Sequence, residues 1–289
     1  MKKLVRKSLM SMLLVLSLVL LAACGESDPK STGTPVQQEN GNKETNTGSS
    51  AETDKDLFVA VVSEASGLDS FSINMTADQK IEADGEVVES KTVSAMDITV
   101  KPEVAFKQVT TIEAAGQKQE MEAYLTAEGF FVKDLSSGMW VKLPADAAGQ
   151  VLQGVDQESL DPSAQLSQLV DYADQFTVEE KDGVYVFTLS AKGEEFSKLI
   201  EEQLAQQQET MAQLGSVTVD SIQYNIEVEK SSNKLLKLDV VFDMTVENSE
   251  AAQSMKIVSN IETEYSNHNA IEAIVVPEEA LGGEEVTIE

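Results

Sequence analysis

Apolar and polar residues alternate over several long stretches of the chain, and this period of two predicts β-strands. The pattern is clearest in the C-terminal third. The apolar positions there are Ile222, Tyr224, Ile226 and Val228, then Leu236, Leu238, Val240, Phe242, Met244 and Val246, then Met255, Ile257, Ile261 and Tyr265. Most residues between them are polar or charged, so each of these three strands has one apolar and one polar face.

The same alternation predicts strands earlier in the chain. Its apolar positions are Phe71, Ile73, Met75, Ala77 and Ile81, then Met96, Ile98 and Val100, then Val104 and Phe106, then Met121, Ala123 and Leu125. Four shorter strands are predicted in GFFVKDL, GMWVKL, FTVEE and VYVFTLS. The turn Lys181-Asp182-Gly183 joins the last two of these as a hairpin.

Three stretches have the wider spacing of helices. A helix is predicted from about Asp54 to Gly67, because Phe58, Val61 and Ala65 recur at helical intervals. Asp161-Pro162 predicts the start of a second helix, since aspartate caps helices and proline suits the first turn. Leu166, Leu169 and Val170 supply its apolar stripe. Residues 193–215 predict a long third helix with one apolar side.

This order of elements predicts an α+β fold with a single strongly curved antiparallel sheet. The sheet has about eleven strands, and a few helices cover its concave face. We expect residues 54–289 to form this sheet as one domain. A division into two domains near residues 145–160 is the alternative.

The N-terminal residues have the order of a bacterial secretion signal. Basic residues in MKKLVRK precede an apolar run that ends in Leu21-Ala22-Ala23-Cys24-Gly25. This ending resembles the lipobox of bacterial lipoproteins, and the resemblance implies cleavage between Ala23 and Cys24, with diacylglycerol on the Cys24 thiol. The alternatives are an uncleaved membrane span and an ordinary signal with a cysteine beside its cleavage site.

The expected mature protein is therefore held at the outer, extracytoplasmic face of the cell membrane. Two acyl chains on Cys24 suffice for stable attachment. Residues 24–53 contain almost no large apolar side chains and are expected to be a disordered linker. The chain has 50 acidic and 21 basic residues and a formal net charge of −29, which disfavours nucleic acid as a partner.

The domain resembles the LolA/LppX-type bacterial lipoproteins in the order of its elements behind a lipobox. It is also similar to uncharacterised Gram-positive lipoproteins that step from a first helix into a first strand through Gly67-Leu68-Asp69-Ser70-Phe71-Ser72. The resemblance implies that residues 54–289 form an unclosed β-barrel of about eleven strands, that is, a half-barrel. It also implies a cavity between the sheet and its helices that holds an acyl chain or a lipid.

The expected cavity lining combines the apolar faces of the strands and the third helix. It consists of Phe71, Ile73, Met75, Met96, Ile98, Met121, Phe196, Ile200, Leu204, Met211, Tyr224, Ile226, Leu238, Phe242, Met244 and Ile257. Flexible methionines suit apolar ligands of variable shape, but they also fill gaps in ordinary protein cores. Both interpretations of these methionines stay open at this point.

The sequence gives little support for catalysis. Its only histidine, His268, lies in a polar stretch typical of a surface loop, and no nucleophile, zinc or nucleotide-binding motif occurs. Trp140 is expected to pack in the core and not to bind sugar.

We therefore expect a membrane-anchored binding protein for a lipid-like ligand, with no enzymatic activity, cofactor or metal and an unidentified envelope partner. The alternatives are a structural or interaction lipoprotein with a filled core and a glycosidase built on two carboxylates.

Overall fold

The computed structural model describes residues 53–83, 85–133, 138–143, 161–192, 216–248 and 253–285. Cys24, the linker and the predicted helix over 193–215 lie outside these residues. The helices are α1 (Asp54–Ser66), α2 (Pro162–Ser167), a 3-10 helix (Val170–Gln175) and α3 (Glu278–Leu281). The strands are β1 (Ser70–Ala83), β2 (Glu86–Thr99), β3 (Ala105–Ala114), β4 (Gln117–Thr126), β5 (Gly129–Lys133), β6 (Trp140–Leu143), β7 (Thr177–Lys181), β8 (Val184–Lys192), β9 (Ser216–Glu229), β10 (Lys234–Asn248), β11 (Gln253–Ser266) and β12 (Glu284–Glu285).

All the described strands belong to one sheet, in the order β12-β6-β5-β4-β3-β2-β1-β11-β10-β9-β8-β7. Strands β1 to β6 follow one another as neighbours towards one edge, and β11 back to β7 form the other half. The central pair, β1 and β11, joins the two halves. Among the described strands, β7 and β12 are edges with no pairing between them, so the sheet is unclosed, as predicted.

The antiparallel arrangement of β1 to β11 is also as predicted. The sequence did not indicate β12, whose two residues pair in parallel with β6. A second difference is in β10, where a register shift between Leu235 and Lys237 places Leu235, and not Leu236, in the core. A β-bulge of this kind adds one residue to a strand and so changes which side chains face inward.

Helix α1 begins and ends where its sequence predicts. Thr53 and Asp56 form a reciprocal capping box at its start, and Gly67 is its C-cap. The ring of Phe58 stacks on Phe176 with centroids 4.9 Å apart and meets Phe187 of β8 edge-on at 5.5 Å. These aromatic contacts fix α1 and the 3-10 helix against one part of the sheet.

The second helical region is shorter than its apolar spacing suggests. Asp161 caps α2 by accepting a hydrogen bond from the Ser163 amide at 2.8 Å, and Pro162 occupies the first turn. The helix ends at Ser167, and a 3-10 helix from Val170 continues the chain. Leu166 is nevertheless fully buried, as the predicted stripe requires.

A separate small core lies on the opposite face of β4, β5 and β6. Tyr124, Phe131 and Trp140 are buried there under Val276 and Ala280 of the C-terminal segment. The chain on both sides of Pro277 therefore covers this edge of the sheet. Trp140 packs against protein, as its strand pattern predicted.

Candidate ligand-binding face

The two faces of the sheet differ sharply in chemistry. We call the face that carries Phe71, Ile98, Ile226 and Ile257 the inner face, because these four side chains are almost completely buried in the main core. The opposite, outer face carries most of the charged residues of the strands. This division follows from the period of two along each strand.

The register brings the described members of the predicted lining together on the inner face. Phe71 lies opposite Ile98, and Ile73 lies opposite Met96. In the other half of the sheet, Ile226 lies opposite Leu238. The remaining described members are on the same face: Met75, Met121, Tyr224, Phe242, Met244 and Ile257.

The predicted lining residues differ in burial. Phe71, Ile98, Ile226 and Ile257 are at most 1% exposed and form a tightly packed core. Ile73, Met75, Met121 and Met244 are only half-buried. Four members from the predicted long helix, Phe196, Ile200, Leu204 and Met211, lie outside the described residues, as do Ala23 and Cys24.

The inner face also carries a buried polar patch that the sequence analysis missed. We define the polar patch as Gln79, Thr92, Ser94, Gln108, Thr110 and Ser259, each of which is at most 8% exposed. The signal was present in the sequence, because these residues occupy the same alternate positions as Met75, Met96 and Ile257. The predicted lining contained only the apolar positions of this face, although the alternation also placed Ser259 and Thr263 in phase with Met255 and Ile257.

Part of the polar patch forms an internal network. The amide of Gln108 donates a hydrogen bond to the Ser94 hydroxyl at 3.1 Å. The hydroxyls of Ser94 and Thr110 form another at 2.9 Å. These three side chains satisfy one another across β2 and β3, which lowers the cost of burying them.

The rest of the polar patch contains side-chain atoms without partners. Gln79 of β1 and Ser259 of β11 lie opposite each other in the register. The Nε2 atom of Gln79 and the Oγ atom of Ser259 are both buried and make no hydrogen bond. Each such buried unpaired group costs about 1–3 kcal/mol, and native proteins contain few of them.

Charged groups on the outer face pair with one another. Lys237 contacts Asp239 at 2.9 Å, and Lys256 contacts Asp243 at the same distance. The hydrogen bond from each lysine to its aspartate is the main cause that raises the pKa of that lysine. The Oδ1 atoms of Asp239 and Asp243 are buried without a hydrogen bond, so these two ion pairs are only partly solvated.

An open depression of about 370 Å³ lies beside the β3–β4 turn. Its lining includes Asp78, Lys91, Glu113 and Lys118, and Lys91 forms an ion pair with Asp78 at 3.6 Å. This charged lining does not suit the apolar ligand expected from the sequence.

The described residues offer few groups for chemistry. His268 lies in the loop after β11, as predicted, and its Nε2 atom is 2.9 Å from the Leu235 carbonyl oxygen, so it fixes that loop to β10. Within the described ranges, no three His, Cys, Asp or Glu side chains are grouped to hold a metal. Nor does any helix in the described part of the chain have the length and apolarity to cross a membrane.

The chain matches the model of a known protein family over most of its length. The model of the family of unknown function DUF6612 matches residues 53–285, which include every described element. This chain belongs to the DUF6612 family. No curated protein matches the DUF6612 chain significantly in sequence.

Several solved structures are similar to this DUF6612 chain. LprF from Mycobacterium bovis has a TM-score of 0.37 and 14% identity, with 78% of this chain and 97% of LprF covered. An outer membrane lipoprotein-sorting protein domain from Vibrio parahaemolyticus has a TM-score of 0.23 and 10% identity, with 72% of this chain and 91% of that domain covered. A DUF1329 family protein from Desulfovibrio piger has a TM-score of 0.22 and 12% identity, with 77% and 93% covered.

These neighbours agree with the resemblance to LolA/LppX-type lipoproteins predicted from the sequence. Strand order and register define the fold of the DUF6612 chain, and a fold does not by itself assign a function.

Proposed function

We propose that this protein is a membrane-anchored, extracytoplasmic lipoprotein that binds a lipid-like ligand on the inner face of its sheet without catalysing a reaction. The observation that carries the proposal is the half-buried state of Met75 and Met121, two methionines on the inner face beside the apolar core. Thioether side chains that are not locked in a solid core can repack around an alkyl chain.

The described helices cover this face unevenly. Helix α1 contacts β10, α2 and the 3-10 helix. Phe58 of α1 packs there against Phe176 and Phe187. Met75 and Met121 belong to the other half of the sheet, on β1 and β4. A ligand bound near Met75 and Met121 would therefore lie beside the contacts of Phe58 and would not need to displace them.

Anchoring through Cys24 is part of the proposal. Diacylglycerol on this thiol would hold the sheet near a bilayer, which is the source of any lipid ligand, since two chains give lasting attachment. The Cys24→Ala variant is expected to stay unprocessed or to leave the membrane fraction. Membrane-bound protein with normal processing in this variant would contradict the anchor.

Native mass spectrometry tests whether the protein carries a lipid-like ligand. The chain from residue 25 onwards, secreted without its anchor, is purified without detergent and its bound small molecules are identified by native mass spectrometry. We expect a co-purifying amphiphile whose amount falls when Met75 and Met121 are both changed to Phe, because the larger rings fill the space that the alkyl chain needs. A ligand-free protein in repeated preparations, even after incubation with lipid vesicles, would favour a structural lipoprotein with a filled core.

A further inference from the structure

The geometry of the polar patch points to a binding site for the uncharged ester or hydroxyl group of an amphiphile, with its alkyl chains on the neighbouring methionines. This inference rests on the proposed function and adds the chemical class of the ligand. None of the polar patch residues belongs to the predicted apolar lining. A sheet can form its core without buried polar side chains, because burying them costs free energy unless they are hydrogen-bonded.

The unpaired atoms supply the first step. Gln79 is 8% exposed and Ser259 is fully buried, yet Gln79 Nε2 and Ser259 Oγ make no hydrogen bond. Their positions on adjacent strands place them side by side on the inner face. An amide N–H and a hydroxyl in this arrangement can donate to ester or hydroxyl oxygens of a ligand, which removes the cost of leaving them unpaired.

The distribution of charge supplies the second step. No charged residue occupies an inner-face position of β1, of β3, or of β11 from Met255 to Tyr265 among the residues described. On β2 the same is true from Val88 to Ile98. A phosphate or carboxylate buried here would lack a counter-charge, so the site favours an uncharged polar group.

Methionines beside the polar patch supply the third step. Met75 lies opposite Ser94 on one neighbouring strand and Thr263 on the other. Met96 lies opposite Gln108. Hydrogen-bonding groups and flexible apolar groups thus alternate over β1 to β3, which matches a molecule with an ester or hydroxyl group joined to alkyl chains.

Photo-crosslinking of the full-length lipoprotein in phosphatidylcholine nanodiscs tests this site. Three diazirine probes are compared: a diacylglycerol, the phosphatidic acid with the same chains, and a hydrocarbon without a polar group. We expect the diacylglycerol to label inner-face peptides of β1 and β2 more strongly than the phosphatidic acid. The double variant Gln79→Met with Ser259→Ala should reduce diacylglycerol labelling about tenfold, leave hydrocarbon labelling unchanged and cause no loss of thermal stability.

A matched control makes the same two chemical changes elsewhere. Gln223→Met with Ser254→Ala alters exposed positions on β9 and β11 and should change no labelling. Diacylglycerol labelling that is unaffected by the inner-face variant, or phosphatidic acid labelling of equal strength, overturns the polar patch as a ligand site. Labelling of the inner face by none of the three probes contradicts the proposed function itself.

Discussion

Gln79 of β1 and Ser259 of β11 lie directly opposite each other at the central strand pair, and each buries a polar atom that makes no hydrogen bond. On the next two strands, β2 and β3, Ser94, Gln108 and Thr110 are buried to a similar degree but bond to one another. The inner face therefore holds one set of bonded polar side chains that stabilises the fold and one pair, Gln79 and Ser259, with unpaired atoms that do not. Mutations can separate the two roles.

Gln79→Met is expected to raise the free energy of unfolding of the delipidated protein by about 1 kcal/mol, because it removes an unpaired buried amide at nearly constant volume. Urea denaturation measures the change. Gln223→Met, the same substitution at an exposed position of β9, should alter stability little. A marked loss of stability at Gln79 would show that its amide stabilises the fold.

Ser94→Ala is expected to have the opposite effect and to lower the free energy of unfolding by about 1–3 kcal/mol. The substitution removes the partner of both the Gln108 amide and the Thr110 hydroxyl, which stay buried. Ser254→Ala on β11 is exposed and provides the control in the same denaturation experiment. Equal stability of the two variants would contradict the hydrogen-bond network.

Phe58→Ala is expected to destabilise the protein by about 3–5 kcal/mol, since it removes a fully buried ring from the junction of α1 and the sheet. The ring contacts Phe176 and Phe187 at centroid distances of 4.9 and 5.5 Å. Val59→Ala, at a neighbouring position that is 45% exposed, should cost far less. Thermal unfolding of both variants would show no difference if α1 were only loosely attached.

Tyr124 is expected to ionise at unusually high pH, because burial and then its hydrogen bond to Glu122 raise the pKa of its phenol to about 12. The stabilisation from the protonated phenol is complete below pH 10 and is lost as the pH rises through about 12. In a pH titration followed by phenolate absorbance, the Tyr124→Phe variant should therefore lack the component that appears at the highest pH. Loss of a component that titrates at the ordinary tyrosine pKa would contradict this environment.

The period of two predicted most of the sheet because a half-buried strand must alternate in polarity. It could not identify the bulge beside Leu235, since a bulge is a matter of pairing with β9 and leaves no local pattern. It also missed β12, whose two glutamates have no strand pattern and depend on the edge of β6. At the bulge in β10 and at β12, contacts between strands override the local preference of the sequence.

The polar patch was missed for a different physical reason. Sequence reasoning treats buried positions as apolar, whereas Gln79 and Ser259 are polar residues on the buried side of their strands. Places where a sequence departs from the apolar pattern of its own core are often functional, because they cost stability. The alternation placed Ser259 on the right face, but only the structure shows that its hydroxyl is buried and unpaired.

Gly283→Ala is expected to release the C-terminal segment from the small outer-face core. A Cβ atom at this glycine would lie 2.8 Å from the Trp140 carbonyl oxygen and 3.0 Å from that of Ala280, and backbone atoms cannot rotate away. The segment must therefore shift, which uncovers Trp140. As the only tryptophan of the chain, Trp140 reports the change directly through red-shifted fluorescence.

Gly282→Ala is the matched control for this prediction. A Cβ atom there would meet its nearest neighbours at 3.7 and 3.8 Å, which is ordinary contact, so the fluorescence should stay as in the unaltered protein. The added methyl group should even stabilise slightly by restricting the unfolded chain, whereas Gly283→Ala should cost about 1–3 kcal/mol. Unchanged Trp140 fluorescence in both variants would mean that the C-terminal segment does not cover this edge in solution.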